Sequence, residues 1–248
     1  MQLVEVSSLT KYNDFCNIKL MKRLSSVVLV IIILYPHVFQ ELLKYRFSRN
    51  EWKKLYQHKL ILKKRTVKGA PWPEVKVYSL IDATPEESMA VYFAFPEQKN
   101  YIPGLVKSKP SKYISPTDIW IDFEVSLSWP LANSKFTTGN KIGKLNNGGY
   151  LLHWYPVTHT SAKECNGDIA FLPYHNRTLL IYRNFTFPNS SLAKFFKKRM
   201  YKSIKETINA IVKRIELVKK SGKTRMKKYI LNLNGALNGE YIFKGIHT

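Results

Sequence analysis

The side chains that could move a proton or hold a metal are few and scattered along this chain. His153, Asp122, Glu124 and Tyr155 are the candidates for acid–base work, which needs a positioned group inside a pocket. Asp122 and Glu124 alternate with Ile121 and Phe123, so a strand there sends the two acids to one face and the apolar side chains to the other. His153 is out of phase with Trp154 in the same way. His153, His159 and His175 fall on separate strands or turns, and neither an H-E-x-x-H helix nor a Cys/His pair with metal spacing is present. A Gly-rich phosphate loop and a nucleophile elbow are absent too. Two cysteines, Cys16 and Cys165, are too few for a disulfide framework. The pattern predicts a protein without a catalytic centre, metal or cofactor.

Charge narrows the partners. Forty Lys and Arg against 17 Asp and Glu give a formal net charge of +23. That excess favours anionic surfaces, lipid headgroups among them, or keeps the chain soluble. No zinc-finger spacing or RNA-recognition motif concentrates it, so a nucleic-acid partner is not expected. With 248 residues, 45% of them hydrophobic, the chain can build one sizeable core, and a monomer is expected.

At the N-terminus Lys22-Arg23 precede the apolar run Val27 to Leu34, the layout of a signal peptide, and Pro36 ends the run. The run is shorter than the ~20 residues of a membrane span. The reading is a secreted or periplasmic protein, anchored by the same segment as the alternative, with synthesis starting at Met21. The predicted parts are a lead over 1–39, a basic amphipathic connector over 40–49, one domain over 50–217, and a basic tail over 218–248 of unassigned role.

Within the domain, period-2 alternation predicts strands over 59–67, 75–81, 107–114, 118–127, 135–144, 150–158, 167–173 and 178–187. Asn166-Gly167 and His175-Asn176 read as turns. Asp82-Ala83-Thr84-Pro85-Glu86-Glu87 reads as a helix start: Thr84 caps, Pro85 suits the first turn, and the acids face the positive end of the dipole. Residues 96–105 make a second short helix or loop. Leu192, Phe196, Met200, Ile204, Ile208, Ile211 and Ile215 form one apolar stripe on a helix over 192–218, and residues 219–228 read as a basic loop.

Two strands, two short helices, a strand meander and one long helix make an α+β, helix-grip layout: a curved antiparallel sheet wrapped around its C-terminal helix. The residues then support a resemblance. Trp129-Pro130-Leu131-Ala132-Asn133-Ser134-Lys135-Phe136 resembles the proline-containing signature of START lipid-binding domains, departing from it where Ser134-Lys135 replaces Arg-Asp. The stretch Val75 to Glu87 is similar to the opening of bacterial START-like and polyketide-cyclase-like (SRPBCC) proteins. Gly167 to Pro173 is similar to one of their later strands.

The resemblance implies binding of a lipid or other apolar small molecule in an internal cavity. Alternation and the family register together predict its lining: Ile121, Phe123, Val125, Leu152, Trp154, Ile169, Phe171, Leu180 and Tyr182 from the sheet, with Phe196, Met200 and Ile204 from the helix. Asn133 and Tyr182 are the polar candidates, and residues 96–105 and 188–191 the gates. A membrane-surface adaptor and a cyclase or dehydratase working through His153 and Tyr182 are the alternatives.

Overall fold

The computed structural model describes residues 47–126, 133–159 and 162–246. The N-terminal lead, the connector up to residue 46, and Trp129 to Ala132 of the signature lie outside the described residues. The first described helix, α1 (Arg49–Tyr56), starts on a capping box. Ser48 accepts the Glu51 N–H, and the Glu51 carboxylate accepts the Ser48 N–H. Helix α2 (Pro85–Phe93) starts the same way on Thr84 and Glu87, with Pro85 in its first turn. A 3₁₀ helix, Phe95–Asn100, follows it.

Eight strands form one antiparallel curved sheet: β1 (Ile61–Arg65), β2 (Glu74–Ile81), β3 (Leu105–Ser115), β4 (Asp118–Val125), β5 (Ser134–Lys144), β6 (Tyr150–His159), β7 (Ala162–Tyr174) and β8 (Arg177–Pro188), in the order β1-β2-β8-β7-β6-β5-β4-β3. This is the helix-grip architecture expected from the sequence. One expected turn is corrected. Asn166-Gly167 sits inside β7, paired with Phe185 and Asn184. Gly167 is there for packing: a Cβ on it would meet the Trp154 ring at 2.1 Å and the Arg183 carbonyl at 2.2 Å. The indole lies across the glycine from the neighbouring strand.

The C-terminal helix begins later than its stripe suggests. Residues Ser191–Phe196 form a 3₁₀ helix, and α3 (Lys197–Lys220) follows. Burial along the stripe is graded. Leu192 is 58% exposed, Phe196 37% and Ile204 8%, whereas Ile208 and Ile215 are fully buried. The stripe thus dives into the fold as the helix advances. The segment after it is also corrected: α4 (Lys223–Leu237) occupies most of what read as loop and tail. Its Met226, Tyr229, Leu233 and Ala236 join the main core, and it packs on α2 and β5. Beyond it, Phe243 packs on Phe93 and Phe95, and its N–H donates to the Tyr113 hydroxyl at 2.7 Å. The amphipathic period of α4 is weak because its basic residues interrupt the apolar ones, which is why the sequence alone missed it.

Two layers therefore cover the inner face: α3 beside β2 and α2, and α4 with the chain end beside α2 and β5. On the outer face α1 covers one end. Phe47 meets Tyr78 edge-on, and Trp52 stacks on Tyr174 at 4.8 Å. Val77 and Tyr78, adjacent on β2, are consequently both buried, one toward each layer.

Candidate functional site

Strand register fixes which side chains meet inside. Trp154 pairs with Asn140 and Gly167; Ile169 pairs with Leu152 and Tyr182; Phe171 pairs with Tyr150 and Leu180; Ile121 pairs with Thr138. Residues facing each other across a ladder share a face, so the expected inward set Ile121, Leu152, Trp154, Ile169, Phe171, Leu180 and Tyr182 does lie together. All of these belong to the core or pack against it, as do Phe123, Met200 and Ile204. Val125 is half-buried at the end of β4, opposite Ser134.

Two expected members are placed elsewhere. Asn133 is exposed and donates to Glu124 at 2.8 Å on the outer side. It stands just before β5, in phase with the outward Lys135 that pairs with Glu124. Phe196 stands at the surface, because the 3₁₀ helix before α3 turns the stripe away from the sheet.

The inward set divides into a fully buried part and a partly accessible part. Ile121, Leu152, Ile169, Phe171 and Leu180 have no accessible surface. Tyr92, Tyr101 and Tyr182 each keep some accessible area. Yet protein surrounds these three so deeply that burial raises every one of their hydroxyl pKa values above the ordinary phenol range. Their rings are thus partly accessible while their hydroxyls are deeply enclosed. Tyr182 lies 5.3 Å from Trp154, ring to ring, and Tyr92 lies 6.0 Å from Phe171. Partly buried Phe123 and Met200, packed on the same core, extend this wall. Cys165, two residues before Gly167 on β7, is also half-buried, and burial pushes its thiol pKa up.

The interior is therefore apolar with phenols, and it is more polar than the sequence suggested. Arg214 of α3 is the second departure. Its side chain is 14% exposed and reaches Glu97 at 2.6 Å. Tyr92, Tyr101 and Arg214 were not legible as site residues. They come from the helices that cover the sheet, where alternation gives no guide, and Arg214 sits one position off the apolar stripe.

The acid–base candidates gather on the opposite face. His153 Nδ1 lies 2.6 Å from Asp168 Oδ1, and Arg183 bonds the other oxygen of that carboxylate. Arg183 also reaches Glu74, which Arg65 grips from the far side at 2.9 and 3.0 Å. Burial raises the pKa of Asp168 and Glu74, but the hydrogen bonds and charges of His153, Arg183 and Arg65 outweigh it, so both end below the ordinary carboxylate value. Asp122 pairs with Lys107 and Thr137, and Tyr155 donates to Asp118 at 2.8 Å. Among the described residues, one trio could offer metal ligands, His58, Asp82 and Glu216. Its Asp82 already pairs with Arg177 at 2.8 Å at the surface.

One open groove has a volume of about 390 Å³. Phe93, Ala94, Ile242 and Phe243 line it, with Arg225 and Lys228 at its edge. Among the described residues no helix is long and apolar enough to cross a membrane.

No family model matches the sequence, and no curated protein matches it. Solved structures do match. A STAR-related lipid transfer protein from Xanthomonas axonopodis superposes with a TM-score of 0.58 at 13% identity, over 69% of this chain and 97% of that one. Human STARD10 superposes with a TM-score of 0.62 at 11% identity, over 85% and 88%. Human StAR-related lipid transfer protein 5 gives 0.56 at 12% identity, over 64% and 82%. At these identities the likeness is one of fold: the described residues adopt the helix-grip fold that these structures share.

Proposed function

We propose that this START-like domain binds a lipid or other apolar small molecule in the space between the sheet and α3, and carries or senses it without covalent chemistry. One observation carries the reading. Tyr92, Tyr101 and Tyr182 keep accessible area while enclosed by protein. A space walled by aromatic and aliphatic side chains with a few hydroxyls suits an apolar ligand. Lipid transfer by the proteins named above, which share the fold, supports the same reading. The acid–base candidates His153, Asp122 and Tyr155 bond partners on the other face, which favours a carrier over a cyclase.

A second reading has its own observation. Leu192 and Phe195, 58% and 71% exposed, stand among Lys194, Lys197 and Lys198 at the start of α3. Apolar side chains ringed by cations suit an anionic lipid surface, so docking there would place the carrier beside its source of ligand. We propose the monomer as the working unit, and export or anchoring through the segment at Lys22-Arg23 and Val27 to Leu34.

Native mass spectrometry of the purified protein, followed by solvent extraction, tests the carrier reading. The expected result is added mass that releases as a lipid or similar apolar compound. Met200→Trp, which enlarges a partly buried wall residue, is expected to lower ligand occupancy without unfolding the domain. Full occupancy in that variant would show that the ligand sits elsewhere.

A further inference from the structure

Two donors in the interior have no acceptor. Tyr101 Oη and Arg214 Nε are both buried, and neither has a hydrogen-bond partner. Folded proteins rarely leave such groups unpaired, and each instance calls for an explanation. The two are neighbours: the guanidinium carbon of Arg214 lies 5.7 Å from the centre of the Tyr101 ring. They come from separate elements, Tyr101 from the end of the 3₁₀ helix Phe95–Asn100 and Arg214 from the middle of α3.

A second nitrogen of the guanidinium is committed. Its Nη2 donates to Glu97 Oε2 at 2.6 Å, and the Tyr229 hydroxyl donates to the same oxygen at 2.5 Å. Glu97 thus already balances the Arg214 charge. What remains is a pair of donors beside an ion pair already made, with Tyr92 close to Tyr101. Such a pair asks for an acceptor. A carbonyl oxygen has two lone pairs and can serve both donors at once. A carboxylate would bring a second negative charge next to Glu97, and a pure hydrocarbon would leave both donors unpaired.

We propose that Tyr101 and Arg214 form the head-group site of the interior ligand, and that the ligand is an amphiphile whose polar end is an uncharged carbonyl, as in an ester or ketone. The inference rests on the carrier reading above and adds the ligand's chemical class to it. Bound there, the carbonyl would tie the covering helix to the 3₁₀ helix, and its tail would run along the aromatic wall.

The test is displacement of N-phenyl-1-naphthylamine, a neutral apolar fluorophore, from the full chain by methyl laurate, laurate or dodecane. Methyl laurate should compete best. Tyr101→Phe and Arg214→Lys, which removes Nε and keeps the charge facing Glu97, should each weaken methyl laurate about fivefold, the worth of one net hydrogen bond. Neither should change the affinity of the fluorophore or the competition by dodecane. Equal potency of methyl laurate against wild type and Tyr101→Phe would overturn the proposal, whether or not Arg214→Lys folds. Stronger competition by laurate than by its ester would overturn the uncharged class. Failure of the fluorophore and all three competitors to bind wild type would instead remove the carrier reading itself.

Discussion

The two faces of the sheet handle polar groups in opposite ways. On the outer face, Arg65, Glu74, Arg183, Asp168 and His153 form a chain of ion pairs running across five strands, and each carboxylate has partners on both oxygens. On the inner face a phenol and a guanidinium nitrogen are buried with nothing to bond. A closed network adds rigidity and leaves nothing for a ligand to satisfy. An open one costs stability in the empty protein and returns it when an acceptor arrives. The difference marks which face is scaffold and which is site, although the ionisable residues that first suggest chemistry lie on the scaffold side.

The largest effect should come from breaking the closed network. Arg183 is 12% exposed and stands between two carboxylates that are 5% and 6% exposed. Arg183→Met leaves Asp168 and Glu74 facing each other without it. Removing one partner of a buried ion pair costs roughly 3–5 kcal/mol, so the midpoint of urea unfolding should fall sharply. A loss below about 1 kcal/mol would mean that water reaches the network and screens it as at an exposed surface. The scaffold assignment would then fail.

Acid should probe the same network more gently. Asp168 and Glu74 have folded pKa values below the ordinary one. Groups of this kind stabilise the fold fully above the unfolded carboxylate pKa of about 4. That contribution is lost as pH falls through the lower, folded values. Stability measured from neutral pH downward should therefore hold to about pH 5 and then decline. The decline is smaller than the Arg183→Met loss, since a protonated carboxyl still occupies its place and can still bond. In Arg183→Met the same decline should flatten. A decline that is equally steep in both proteins would assign the acid sensitivity to other carboxylates.

How far the sequence revealed this division follows from the elements involved. Strand alternation, together with the register of the family that the sequence resembles, placed Ile121, Leu152, Trp154, Ile169, Phe171, Leu180 and Tyr182 inward, and alternation placed His153 and Asp122 outward, because a period of two leaves little freedom once one face is apolar. The capping residue Thr84 marked a helix start through local hydrogen bonds that need no tertiary context. The turn expected at Asn166-Gly167 failed because the glycine serves the Trp154 ring on the adjacent strand, a contact between residues distant in sequence. Helix α4 was missed because its apolar residues meet the core at an interface that only the assembled α2 and β5 create. The inner polar pair was illegible for a related reason. Tyr101 and Arg214 are 113 residues apart, and nothing in either neighbourhood signals that they meet.

The smallest effect has the opposite sign, and it sharpens the comparison most. Tyr101→Phe removes one hydroxyl and keeps the ring that Arg214 faces. On the outer face, deleting a polar atom strands its partner. Here there is no partner to strand, and the buried hydroxyl loses its hydration for nothing. Removing an unsatisfied buried polar group returns about 1 kcal/mol or somewhat more. Ligand-free Tyr101→Phe should therefore unfold at a slightly higher urea concentration than wild type, with an unchanged slope. Saturation with an ester ligand should shrink or reverse that gain, since only the wild-type hydroxyl then has an acceptor. A loss of stability in the empty variant would mean that the hydroxyl is already bonded, by ordered water for example. The inner pair would then be as fully satisfied as the outer chain of ion pairs.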